Sequence, residues 1–575
     1  MCGIIGCSLH DNSKYNILSQ LAKLEYRGYD SCGVTDLINN QFFTFKSTNR
    51  ISDLKNKKTT LSNLSIAHTR WATHGNVSTK NAHPILSNNG NYSIVHNGII
   101  ENYDKLKEVY LSAFRFITET DTEVIVNLFE YFCKTNDEID SLYILSKLLK
   151  GSYAFIILDK KSDNMYFMKN KSPLIIGKGQ DIIIASDILA FDKNVSSYYR
   201  LNDFEYGYIK NNKVFLYHNN KQIKPSFISF IYSNYNNQLN GYNHYMEKEI
   251  YETKDLLKKQ IDFKFDSDII NLINSSKRII LIASGTSYHA GLLGSYFFNH
   301  LSNIESSAYI ACEFEYFDYY NSDDLFIVIS QSGETADLIK IVNILKNHNH
   351  NILSITNSII NTISTLSSKN INIDAGIEIA VASTKTYTLS SFILYKLACI
   401  KNNLYDKRSV INCIAELDNI YNSTDIYKDL AKSIYKNKNL FFLGSGYDNL
   451  ICKEASLKLK EISYIHSESM SCGELKHGSI SLITKDFPVI YFISDNGYKN
   501  TLNSIEELKS RHAKVYIIST NNVEIESDIK VSSTNDLLSF IPFSIVLQFI
   551  SYYTALLLNN DIDKPRNLAK SVTVL

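Results

Sequence analysis

Three groups of residues in this chain combine chemistry-bearing types at spacings that could do work. Cys2 becomes the first residue if Met1 is trimmed, and a small second residue permits trimming. Its thiol would then sit beside its own α-amine, whose pKa of about 8 suits a general base at neutral pH. On position alone it reads equally as an incidental cysteine. Ala67-His-Thr-Arg-Trp-Ala-Thr-His-Gly75, Val95-His-Asn-Gly98 and Thr118-Glu-Thr-Asp-Thr-Glu123 each place polar groups at a turn after an apolar run. Plainer readings exist for all three: Arg70 as a surface ion-pair partner, Asn97-Gly98 as a hairpin turn, Thr120 with Glu123 as a capping box. Ile282-Ala-Ser-Gly-Thr-Ser287 and Ile329-Ser-Gln-Ser-Gly-Glu-Thr335 are Ser/Thr/Gly turns between a strand and a helix. Backbone N–H groups at a helix start, with added hydroxyls, make a phosphate site without any lysine. Either turn alone is also an ordinary helix cap. Glu454, Lys458 and Glu461 stand at i, i+4 and i+7, on one helical face, which also describes a solvated salt-bridged surface.

The elements that must position these groups fall into two textures. Up to about Ser233 there are short β-like runs, such as 42–45, 153–158 and 181–185, with a few helical patches. A polar, Asn-rich stretch at 232–242 reads as a linker. Beyond it, helical runs alternate with apolar strands of four to six residues, the pattern of an α/β domain with a parallel sheet. This half repeats itself. Arg278–Gly285 matches Asn439–Gly446 at an offset of 161, the strand Asp324–Ser330 matches 486–492 at 162, and 351–356 matches 514–519 at 163. That is a duplicated nucleotide-fold-like domain, with ligands expected beyond the carboxyl ends of the strands.

The 575 residues suit about three or four domains. Lys plus Arg and Asp plus Glu are 59 each, a formal charge of 59 − 59 = 0, so neither nucleic acid nor an anionic membrane is an expected partner. Nine scattered cysteines without a C-x-x-C pair fit a reducing cytoplasm and no zinc ribbon. No secretory signal is expected at the start. Residues 537–558 lack charge and are long enough to span a bilayer, but Pro542, Gln548 and the lack of flanking Lys/Arg clusters favour a buried helix.

Together with Met-Cys-Gly-Ile-Ile-Gly and Glu25-Tyr-Arg-Gly-Tyr-Asp30, the first-half motifs closely resemble the N-terminal-nucleophile glutaminase domain of class II amidotransferases. The resemblance implies an αββα sandwich and roles for individual residues. Cys2 is the nucleophile on the glutamine amide, and Asn97 with the Gly98 N–H forms the oxyanion hole. Arg70, Trp71, Thr73, His74, Gly98 and Asp121 bind glutamine. Arg70 takes the α-carboxylate, Asp121 the α-amine, and Trp71–Gly75 forms a lid.

Leu457-Lys-Leu-Lys-Glu-Ile-Ser-Tyr-Ile-His466, Gly473-Glu-Leu-Lys-His-Gly478, Val381-Ala-Ser-Thr-Lys385 and Pro565-Arg-Asn-Leu-Ala-Lys-Ser-Val-Thr-Val574 resemble the double sugar-isomerase (SIS) module of the glutamine–fructose-6-phosphate aminotransferase family. The implied substrates are L-glutamine and D-fructose 6-phosphate, in a cytoplasmic homodimer with no metal, nucleotide or pyridoxal cofactor. Ser287, Ser330, Gln331, Ser332 and Thr335 would hold the sugar phosphate, with Val381 and Ser383 lining the sugar. His477, reaching in from the partner subunit, would open the ring beside Glu454. Lys570 would form a Schiff base at C2, Glu461 would move a proton between C1 and C2, and Lys458 would stabilise the enolamine. The implied domains are glutaminase 2–230, linker 231–246, first SIS 247–425, second SIS 426–563 and active-site tail 564–575. Ser445, Ser456, Ala380 and Leu575 depart from the family pattern, and none falls on a residue assigned chemistry. A non-catalytic sugar-phosphate sensor, or an amidotransferase for another phosphorylated acceptor, are the alternatives. Asparagine synthetase and amidophosphoribosyltransferase share such a glutaminase half, but this chain has no Ser-Gly-Gly-x-Asp-Ser loop for the first, and its duplicated second half argues against the single phosphoribosyl-binding domain of the second.

Overall fold

The computed structural model describes residues 2–10, 16–72, 74–230, 239–317, 321–358, 360–495 and 497–572. The chain divides into two compact units, one of residues 1–234 with 571–575 and one of 235–570. Half of the expected linker (231–238 of 231–246), Thr73 and the last three residues of the expected tail lie outside the described residues.

The first unit is built on two antiparallel sheets of eight and seven strands. Neighbouring residues in a strand point to opposite faces, so a strand buried on both sides feeds two cores. In Gly3–Ser8, Ile4 packs between the sheets with Ile66, Val95, Ile156 and Phe167. Ile5 and Cys7 face outward onto Leu18, Leu21 and Leu54 of the helices Ile17–Ala22 and Ile51–Lys57. On the far side, Ile94 and Phe155 pack on Val124, Leu128 and Leu142 of Asp121–Phe132 and Glu138–Leu148. The layers are α, β, β, α. Asn97 and Gly98 form no hairpin: both lie within the strand Tyr92–Ile100, paired to Ala154 and Tyr153. The capping box does not form either. Thr120 is the N-cap residue, but its hydroxyl pairs with that of Thr118 at 2.9 Å and caps no helix N–H, and Glu123 instead accepts the Ile117 and Thr118 N–H groups at 2.8 and 2.5 Å.

The second unit holds two five-stranded parallel sheets with one strand order. In the first, Glu305–Ile310, Arg278–Ala283, Asp324–Ser330, Asn351–Thr356 and Lys369–Asn372 lie side by side. In the second the order is His466–Ser471, Asn439–Gly444, Pro488–Ile493, Lys514–Thr520, Ile529–Val531. Alternate residues of each sheet enter a shared core (Ile279 and Leu281; Leu440 and Phe442), while Ile280 and Phe441 face separate outer helices. The ladders correct one offset. Ile280 lies opposite Phe326 and Phe441 opposite Val489, so the middle strands correspond at 163 and not 162. The uncharged helix Phe540–Leu557 runs through the shared core. It is apolar and long enough to cross a membrane, but 89% of that window is buried within the protein.

Candidate functional site

The first cluster follows from strand register. Gly3 pairs with Thr69 across the antiparallel ladder, which sets Cys2 beside Arg70 and Trp71. The Trp71 N–H donates to the Cys2 Sγ at 3.1 Å, and Asn97 Nδ2 donates to the Cys2 carbonyl at 2.8 Å. Gly98 follows at φ +121, where a Cβ would lie 1.9 Å from the Ser152 carbonyl oxygen, so glycine is required. The buried Arg70 guanidinium donates to the carbonyls of His74, Gly75 and Asn76 and braces the turn after Trp71 from below. Asp121, at the start of its helix, accepts the Ile100 N–H at 2.8 Å. His74 packs edge-on to Tyr103, and Trp71 edge-on to Tyr29. Cys2, Trp71 and Asn97 are thus in direct contact, and the charges of Cys2, Asp30 and Asp121 all act on Arg70. Burial pushes the Cys2 thiol above its ordinary pKa, against the pull of the Trp71 N–H and Arg70.

Sequence reasoning passed over what stands behind Asn97. His68 Nε2 lies 3.2 Å from Asn97 Oδ1 and 2.9 Å from the His96 carbonyl, and His83 Nδ1 is 3.3 Å from His68 Nε2. Burial pushes His68 down to about 3 and His83 well below its ordinary value, so both rings are neutral near pH 7. A neutral His68 that donates to Oδ1 turns the amide N–H₂ of Asn97 toward Cys2. His68 was visible only as part of the quoted Ala67–Gly75 run. Asp30, likewise, accepts the Ala72 N–H at 2.9 Å and fixes the start of the turn.

The second cluster gathers at the carboxyl ends of the first parallel sheet. Gly285 (φ +56) opens the helix Thr286–Phe297, with Ser287 in its first turn. On the adjacent strand, Ser330 Oγ accepts the Gly333 N–H at 3.0 Å and lies 3.0 Å from Thr335 Oγ1, which curls 330–335 into a cup with Gln331 and Ser332 half-exposed. On the helix Tyr447–Ser463, Lys458 Nζ sits 2.5 Å from Glu461 and 3.4 Å from Glu454. Glu454 also accepts from Thr286 Oγ1 at 3.1 Å and meets His289 Nδ1 at 2.7 Å. The face is therefore largely buried, not solvated, and touches the turn that opens the helix Thr286–Phe297. Burial raises the Glu461 pKa, with Lys458 pulling it down. For Lys458 burial disfavours the charge, but Glu461 and Glu454 outweigh it and raise the pKa, so this lysine stays an ammonium.

Lys570 is almost wholly buried, with Nζ 2.5 Å from Glu378 and 2.7 Å from the Ala380 carbonyl. Glu378 was not foreseen, nor was Glu249, whose carboxylate accepts the Ile379 N–H at 2.5 Å and the Ala380 N–H at 3.3 Å. Ser383 Oγ donates to Glu378 at 3.0 Å, and the Val381 N–H to the Asp563 carbonyl at 2.9 Å. Lys570, Val381 and Ser383 therefore belong to one strap, and the charges of Lys570 and Glu378 are felt at Glu461 and Lys458 respectively. His477 is not brought in. It lies exposed on the short turn Glu474–His477, with no hydrogen bond or ion pair among the described residues.

Comparison with known proteins defines the class first. A glutamine amidotransferase domain family matches residues 68–193, and the SIS domain family matches 272–400 and again 433–558. This is an amidotransferase joined to a doubled SIS module. The glutamine–fructose-6-phosphate aminotransferase (isomerizing) of Staphylococcus aureus is 39% identical over 602 aligned residues that cover both chains completely. That of Staphylococcus epidermidis is 37% identical, again over the whole of both. The solved C-terminal domain of glucosamine-fructose-6-phosphate aminotransferase from Francisella tularensis matches at 31% identity and a TM-score of 0.54, covering 57% of this chain and 100% of that one. The chain belongs to the glutamine–fructose-6-phosphate aminotransferase family.

Proposed function

We propose that this chain makes D-glucosamine 6-phosphate from D-fructose 6-phosphate, using ammonia released from L-glutamine, as the first step of amino-sugar synthesis in the cytoplasm. The observation that carries the reading is the buried Lys570 in one network with the strap residues, beside an acid–lysine–acid face that touches a phosphate-type turn. At the first site, with Met1 removed, the Cys2 thiol loses its proton to the new α-amine and attacks the glutamine amide carbon. The Asn97 amide and the Gly98 N–H take the developing oxyanion, where one lost donor typically costs about 10²–10³ in rate. Arg70 and Asp121 hold the α-carboxylate and α-amine of glutamine, with Trp71, Thr73 and His74 closing over it.

At the second site Ser287, Ser330, Gln331, Ser332 and Thr335 hold the sugar phosphate against two helix starts, and Val381 and Ser383 line the sugar. Lys570 attacks C2, ammonia replaces it, Glu461 carries a proton between C1 and C2, and Lys458 offsets the charge on the enolamine. His477 opens the ring in the partner's site of a homodimer, which agrees with its exposure here. The test is product release from the purified protein given glutamine, with and without fructose 6-phosphate. Matched glutamate and glucosamine 6-phosphate, dependent on the sugar phosphate and lost in Cys2→Ala by about 10³ or more, is the expected result. Glutamate without amino sugar would overturn the reading.

A further inference from the structure

Lys570 meets its substrate with the wrong charge. Only a neutral amine can attack C2, yet its Nζ sits buried against a carboxylate and a carbonyl, an arrangement that holds an ammonium. One carboxylate oxygen of Glu378 is committed to structure: Oε1 accepts the Thr384 and Thr386 N–H groups at 3.0 and 3.1 Å. The other, Oε2, gathers groups that can exchange protons, namely Lys570 Nζ, Ser383 Oγ at 3.0 Å and Thr386 Oγ1 at 2.7 Å.

We infer that Glu378 is a catalytic residue, the proton carrier for Schiff-base formation at Lys570. This rests on the reading of Lys570 as the residue that attacks C2. The ammonium gives one proton to Glu378, and the amine nitrogen bonds to C2 as the C2–O double bond opens. Glu378 hands that proton to the C2 oxygen, takes a second from the same nitrogen, and delivers it to the departing hydroxyl. Nitrogen loses two protons, oxygen gains two and leaves as water, an N=C double bond forms, and Glu378 ends ionised as it began.

The surroundings make the exchange feasible. Glu249, on the helix Tyr245–Ile261 and bonded to the strap N–H groups of Ile379 and Ala380 but to no lysine, shows what burial does to a carboxyl here. Burial, then repulsion from Glu378, pushes it up to about 8. Burial acts on Glu378 in the same direction, but the Lys570 contact and the strap N–H groups hold it at about 2. Once Lys570 is neutral the largest part of that restraint is gone, and Glu378, though still bonded to the Thr384 and Thr386 N–H groups, becomes a better proton acceptor. Lys385 on one side, and Lys458 with Glu461 on another, are the remaining charged groups acting on this cluster.

The experiment uses the full-length protein, fructose 6-phosphate and borohydride, with the reduced sugar adduct on Lys570 followed by mass. Lys570→Ala serves as the blank, and a cooperative melt checks each variant. If Glu378 carries protons, the rate order is Glu, then Asp, then Gln, with Glu378→Gln slower by about 10² or more. If it only positions Lys570, the isosteric Gln outperforms the shorter Asp, and that order overturns the inference. The Asp variant still decides if Glu378→Gln fails to melt cooperatively: an Asp variant that forms the adduct, even more slowly than the parent, upholds proton carriage, and one without adduct opposes it. No adduct in the parent would sink the Schiff-base reading itself, a separate failure.

Discussion

The two SIS sheets share strand order and backbone, yet the helix that follows the first matching strand carries different side chains in each. Both open their first helix on a glycine of nearly one conformation, Gly285 at φ 56, ψ −132 and Gly446 at φ 55, ψ −118. At the offset of 161 fixed by the ladders, Ser287 corresponds to Asp448, Leu293 to Glu454 and Phe297 to Lys458. Leu293 and Phe297 are fully buried apolar packing, whereas Glu454 and Lys458 are fully buried charges. Where the helices meet, Thr286 of the first bonds to Glu454 of the second, while Tyr447, its counterpart, lies against the Tyr296 and Phe297 rings. In the second copy the turn is filled from within. Asp448 is fully buried, its Oδ2 accepts the Ser494 N–H at 2.8 Å, and a Cβ on Gly497 would sit 2.4 Å from that oxygen. The two copies keep one backbone at this turn while the helix that follows it carries buried apolar side chains in one and a buried acid–lysine pair in the other.

Exchanging these residues should break the asymmetry. The largest effect is expected from Ser287→Asp, which writes the second copy's acid into the first. Like charges about 4 Å apart at a partly shielded site repel by roughly 4 kcal/mol, so sugar-phosphate affinity should fall by about 10²–10³. Calorimetric titration with fructose 6-phosphate checks it, and an unchanged affinity would remove Ser287 from the phosphate cradle. A smaller effect is expected from Glu454→Leu, which writes the first copy's packing into the second. Lys458 keeps Glu461, but Thr286 and His289 lose their acceptor. Amino-sugar formation should slow by about tenfold or more with affinity for the sugar phosphate changed far less. A pure loss of affinity would instead make Glu454 a binding residue.

How much of this was legible depends on the range over which each signal acts. The recurring apolar strands of the second unit are local runs, and they declared themselves in sequence. The turn at Ser330 was readable because its hydroxyl satisfies a backbone N–H three residues away. The middle strand's offset was not, since apolar runs align equally well one residue apart and only the ladder decides. Glu378 carries no local signal, for its partner Lys570 lies 192 residues on. The Thr120–Glu123 capping box failed because Ile117 and Thr118 offered Glu123 two N–H groups that a local pattern does not register.

The smallest expected effect isolates the internal carboxylate. Burial is the main reason that the Asp448 pKa is pushed up to about 7, with Asp536 adding repulsion and the Ser494 N–H opposing it. An unfolded aspartate ionises at about 3.9, so the native state binds this proton more tightly. The sign follows: its contribution to stability is complete below about pH 4 and is lost as pH rises through about 7, where a buried charge must form. Three units at about 1.4 kcal/mol each bound the loss at roughly 4 kcal/mol. Asp448→Asn keeps an acceptor for the Ser494 N–H but cannot ionise. Urea midpoints of the two proteins should therefore be close at about pH 5 and diverge toward about pH 8, where the variant becomes the more stable by roughly 1–3 kcal/mol. Parallel pH curves would mean that Asp448 is already ionised when native, held as a permanent stand-in for phosphate. The second copy would then be closed by charge as well as by shape.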